Sequence, residues 1–68
     1  MNKDIIKGNW KIAKSKIQQQ WGKFTNDDVE KMKGTYEELK GHIQKKYGYE
    51  KERAEKELEE FIKNNKLQ

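Results

Sequence analysis

Hydrophobic positions return every three or four residues along most of this chain. The first series is Ile6, Trp10, Ala13, Ile17, Trp21 and Phe24. On a helix of 3.6 residues per turn these side chains fall within an arc of roughly 80°. The spacing predicts an amphipathic helix over about 3–22, with Gly22 at its C-terminus and Thr25 or Asn26 capping the next element. That element is short, about 26–33, with Val29 and Met32 as its apolar edge. Thr25 followed three residues later by Asp28 reads as a helix start, and Asp27 and Asp28 suit the positive end of a helix dipole. Gly34 offers a stop. Thr35 with Glu38 then forms the capping box of a third helix, about 36–47, which lines up Tyr36, Leu39, Ile43 and Tyr47. Gly41 inside that helix costs about 1 kcal/mol relative to Ala, so its presence predicts close packing against another element. Tyr47-Gly48-Tyr49 reads as a tight hinge. The last helix, about 50–64, turns Ala54, Leu58, Phe61 and Ile62 inward, and Asn64-Asn65 opens a frayed tail.

The chain contains no Pro and no β-branched run that would make a strand. The pattern therefore describes an all-α fold: one four-helix domain over residues 1–68, its neighbours packed as helical hairpins because the connections are so brief. Its expected core is Ile6, Trp10, Ile17, Trp21, Phe24, Leu39, Ile43, Tyr47, Leu58 and Phe61. With 31% hydrophobic against 41% charged residues, so small a core predicts modest stability.

Composition removes several classes of function. Without Cys there is no disulfide and no thiolate chemistry, which fits a reducing compartment. Met1-Asn2-Lys3-Asp4 lacks the apolar stretch of a secretory signal, and no run approaches the roughly 18–20 apolar residues of a membrane span. The reading is a cytoplasmic monomer that uses no membrane. Catalysis lacks parts. His42 is the single histidine, Ser15 lies mid-helix among lysines, and the paired carboxylates sit at helix starts or along the last helix. No spacing suggests a metal or cofactor site. A packed or surface role for His42 outweighs a catalytic one.

Charge leaves one chemistry open. The net charge is +4, yet residues 1–24 alone carry six Lys against one Asp. Lys7, Lys11 and Lys14 form a stripe at i, i+4, i+7 beside the Trp10 face. Lys45 and Lys46 precede Tyr47-Gly48-Tyr49. These five lysines are the candidate contacts to a nucleic acid; about four neutralised phosphates would give a log–log salt slope near −3.6. Glu50 and Glu52 oppose such a contact, and Arg53 stands alone, so base-specific reading is not expected. The plainer account of a lysine stripe is a solvated face. A protein partner is the other possibility: Ile5 and Ile12 point about 200–220° away from Trp10 at 100° per residue, although scattered surface apolars are ordinary. Insertion of the two Trp into a membrane surface conflicts with their use in the core.

Several short motifs stand in a telling order: Gly8-Asn9-Trp10-Lys11, Trp21-Gly22-Lys23, Asp27-Asp28, Gly34, Leu39-Lys40-Gly41, Ile43-Gln44, Tyr47-Gly48-Tyr49 and Ala54-Glu55-Lys56-Glu57. Together they span nearly the whole chain and resemble the CsbD-like family. The resemblance implies a bacterial protein of the general stress response, with no established biochemical activity. It also implies a compact four-helix arrangement of two crossed hairpins, similar to the SAM-domain-like fold. Ser15 departs from the family pattern, where Gly often stands between two Lys.

Overall fold

Four helices make up the described residues, and their ends follow from capping side chains or from side chains turned into the core. The computed structural model describes residues 8–67 and contains α1 (Trp10–Gln20), α2 (Asn26–Lys31), α3 (Tyr36–Tyr47) and α4 (Lys51–Asn64). Among the described residues there is no strand, so the all-helical expectation holds.

The predicted start of the first helix lies partly outside the described residues. Within them, Asn9 leaves helical geometry (φ −113°, ψ 22°) and precedes α1 without a side-chain cap. Its amide reaches instead to the Leu67 carbonyl, 3.5 Å away. The helix also ends earlier than 22. Trp21 is extended (φ −124°, ψ 94°) while its N–H still donates to the Ile17 carbonyl. Leaving the helix at Trp21 turns the indole inward, 4.8 Å from the Phe61 ring centre and 6.2 Å from that of Phe24. Gly22 is an exposed turn residue and not the helix stop.

Both capping boxes are present. Thr25 Oγ accepts from the Asp28 N–H, and the Asp28 carboxylate accepts from the Thr25 N–H. Thr35 and Glu38 repeat the arrangement. α2 stops at Lys31 because Met32 turns extended to bury its side chain. α3 ends at Gly48, whose positive φ of 68° lets its N–H close on the Gln44 carbonyl.

Gly41 corrects an expectation. A Cβ placed there meets no described residue within 4 Å, and Gly41 is exposed. It faces a shallow groove edged by Glu37, Glu38, His42 and Lys45, not another helix. Its helix penalty is thus not offset by any close approach.

The core joins the four described helices: Ala13, Ile17, Trp21, Phe24, Val29, Met32, Tyr36, Leu39, Ile43, Ala54, Leu58, Phe61, Ile62 and Leu67 are buried. Trp10, Tyr47 and Tyr49 are only half-buried and lean against it. Ile6 lies outside the described residues, and the outward direction expected of Ile12 is seen in its 58% exposure. Ser15 is exposed too, its hydroxyl donating to the Ile12 carbonyl.

The expected frayed tail is instead docked. Lys66 takes a left-handed conformation (φ 53°), and the Lys66 and Leu67 N–H groups return to the carbonyls of Lys63 and Ile62. This is a Schellman motif, with Lys where Gly is usual. It folds Leu67 back until only 3% of its surface is exposed.

Candidate functional site

The five lysines singled out by sequence do not form one surface. Lys7 lies outside the described residues. Lys11 is exposed on α1. Lys14 is half-buried and donates to Glu30 at 3.0 Å, tying α1 to α2. Lys45 is exposed at the rim of the α3 groove. Lys46 is drawn against Asp28, Nζ to Oδ2 2.6 Å, and lies 5.6 Å from the Phe24 ring centre. Two of the five are therefore structural ties between helices, a role their sequence spacing does not announce.

Asp28 shows why the second tie forms. Its carboxylate takes the Lys46 ammonium and the Thr25 N–H at once, at 2.6 and 2.9 Å. The hydrogen bond from Lys46, then that from the Thr25 backbone, holds the carboxyl well below the usual carboxylate range. A carboxyl depressed in the folded state stabilises above its unfolded value and loses that contribution as pH falls through the folded one. The protein should accordingly lose stability in urea melts as pH is lowered below about 4. Asp28→Asn should lower stability at pH 7 and narrow the gap between pH 7 and pH 3. A gap as wide in the variant as in the parent would contradict this assignment. Glu38 acts in the same direction. Burial alone would raise it, but the N–H groups of Thr35 and Lys33 outweigh burial and hold it low.

Lys40 is a cation that sequence reasoning does not single out. It is 9% exposed, with Glu37 at 2.9 Å and Glu55 at 3.6 Å. Its ammonium lies 5.7 Å from the Tyr36 ring centre. The Glu37 hydrogen bond raises the Lys40 pKa. Burial, followed by Glu59 and Glu55, pushes the Tyr36 phenol up. The i, i+3 spacing of Glu37 and Lys40 is visible in sequence; the closure by Glu55 from α4 is not.

A second grouping gathers where the turn after Trp21 meets the α3–α4 hinge. The Lys23 N–H donates to the Tyr47 hydroxyl at 3.1 Å, and the Lys23 ammonium lies 5.0 Å from the Tyr47 ring centre. Tyr47 and Tyr49 stack at 5.4 Å with 30° between planes. The Arg53 guanidinium carbon is 3.9 Å from the Tyr49 ring centre. The sequence marks Tyr47-Gly48-Tyr49 as a hinge beside Lys45 and Lys46, but places neither Lys23 nor Arg53 with it. Tyr49 precedes the N-cap of α4 and Arg53 lies in its first turn, so their closeness along the chain is the available signal. His42 is half-buried, its ring 6.0 Å from that of Phe24. Among the described residues, no three His, Cys, Asp or Glu side chains converge as metal ligands, and no helix is long and apolar enough to cross a membrane.

Among the described residues, fold and surface thus define a small helical protein with an apolar interior, helix-tying ion pairs and a basic, aromatic end. The chain belongs to the CsbD-like family, whose model matches residues 4–56. It is 50% identical over 66 residues to a UPF0337 protein of Pectobacterium atrosepticum, covering 97% of this chain and 96% of the relative. Against UPF0337 protein YjbJ of Escherichia coli K12 it is 48% identical over 65 residues, 96% of this chain and 94% of the relative. A UPF0337 protein of Pseudomonas aeruginosa is 48% identical over 61 residues, 90% of this chain and 94% of its own. No solved structure matches.

Proposed function

We propose that the protein is a non-enzymatic component of the bacterial general stress response, resident in the cytoplasm, acting by binding through its exterior or by its abundance. Membership in the CsbD-like family supports the stress role. The observation that supports action by surface contact is the distribution of side chains. Of the large hydrophobic residues described, only Ile12 is exposed, while the outer faces of the helices carry Lys11, Lys16, Lys45, Lys51, Glu52, Lys56 and Glu59. A charged exterior of this kind contacts partners by electrostatics and hydrogen bonding more than by apolar burial.

The test is a deletion strain compared with its parent in stationary phase and after osmotic, acid and heat challenge. Reduced survival under at least one challenge is expected, restored equally by the wild-type gene and by a His42→Ala variant. Equal survival of deletion strain and parent under every challenge would remove the stress role. Rescue that required His42, together with measurable turnover, would remove the non-enzymatic one.

A further inference from the structure

We propose that the row Lys23–Tyr47–Tyr49–Arg53 is a binding platform for single-stranded nucleic acid. The inference deepens the reading of a protein that works by surface contact and names the partner class for one part of that surface. Three contacts in series build the row: ammonium to ring at 5.0 Å, ring to ring at 5.4 Å, and ring to guanidinium at 3.9 Å. It is held from below, because Tyr47 and Tyr49 are half-buried against the core. It is open from outside, because Lys23 and Arg53 are exposed.

This composition suits an anionic polymer with unpaired planar bases. Single strands are bound by cations that follow the backbone and by flat groups on which bases stack. The two tyrosine faces are partly occupied by each other, so the outer layer of the row is the Arg53 guanidinium. Guanidinium planes stack bases as aromatic rings do, and the same group donates to phosphate. Lys23 supplies a second phosphate contact at the other end, and exposed Lys45 lies in the turn of α3 that leads to Tyr47. A duplex keeps its bases stacked inside and offers the row only phosphates. Glu50 and Glu52 flank the row at the start of α4 and oppose the anion, which sets the affinity low and makes them informative.

The probes are a fluorescein-labelled oligothymidylate and a hairpin duplex of equal length, titrated by anisotropy at about 50 and 200 mM salt. The single strand should bind tighter than the duplex and weaken with salt. Lys23→Ala with Arg53→Ala should cost at least about tenfold and flatten the salt slope by about 0.7 for each phosphate no longer neutralised. Arg53→Lys keeps the charge without the plane and should still weaken binding, by about fivefold at the lower end of stacking contributions. Glu52→Gln should tighten binding. Circular dichroism on each variant confirms that the fold is kept. Equal or tighter binding of the duplex, or single-strand affinity unchanged in the double variant, overturns the platform. Weakening by Lys11→Ala instead would move the binding surface to α1 and overturn it too. Absence of any binding at the lower salt overturns the proposal while leaving the stress role to the deletion strain.

Discussion

Trp21→Ala is expected to lower the unfolding free energy by about 3–5 kcal/mol, the range for a large aromatic removed from a core. Trp21 is 3% exposed and closes the space between Phe24 and Phe61. In a chain of 68 residues a loss of that size rivals the whole stability. The variant should show little cooperative melting by circular dichroism at 25 °C. Trp21→Phe is the informative companion. It retains an aromatic ring against Phe61 and deletes the indole N–H, which is buried and has no acceptor among the described residues. Because an unsatisfied buried donor opposes folding by about 1–3 kcal/mol, the phenylalanine variant should retain most of the parent's stability. If the alanine variant melts within a few degrees of the parent, the indole is not a core side chain. If Trp21→Phe is as damaging as Trp21→Ala, the shape of the indole matters more than its bulk.

What a sequence reveals here is what neighbours along the chain decide. Thr25 with Asp28, and Thr35 with Glu38, are local enough to fix helix starts without knowledge of the fold, and both boxes form as expected. The repeat of Ala13, Ile17, Trp21 and Phe24 identifies buried residues correctly but overstates the helix. A residue can continue a hydrophobic period after the backbone has left helical geometry, as Trp21 does. Gly41 reads as a packing residue because glycine is costly in a helix, yet no described residue comes within 4 Å of a Cβ built there. The tail deceives for a complementary reason. Lys66 carries none of the composition of a left-handed cap, and only the burial of Leu67 explains why it adopts one.

The candidate site divides in the same way. Lys7, Lys11 and Lys14 share a helical face by arithmetic, but whether a lysine is available depends on carboxylates elsewhere in the chain. Glu30 takes Lys14 from sixteen residues away, and Asp28 takes Lys46. The row ending in Lys23 and Arg53 needs the turn at Trp21 to meet the hinge at Gly48, a long-range encounter that no local period encodes. Charge counts along a sequence therefore locate an excess of lysine without locating the surface that uses it.

Gly34→Ala is the second large effect, and its cause is separable. Gly34 is buried with φ +91°, and a Cβ there would lie 2.8 Å from Cδ2, 2.9 Å from Cγ and 3.0 Å from Cε3 of Trp10. These are atoms of a rigid indole, not the end of a flexible chain. Two terms add: about 1–2 kcal/mol for placing an L side chain in left-handed backbone, and about 1–3 kcal/mol for overpacking against the ring. A loss of about 2–5 kcal/mol is expected in urea melts. The second term vanishes if the ring is removed, whereas the first does not. Trp10→Ala combined with Gly34→Ala should thus be less damaging than the two single losses together, by about 1–3 kcal/mol of coupling. Strict additivity would mean that the indole does not sit on Gly34 in solution. The coupling also explains a departure from the expected core: Trp10 contributes less as a fully buried side chain than as a plate laid over a glycine, which fastens the start of α1 to the connection between α2 and α3.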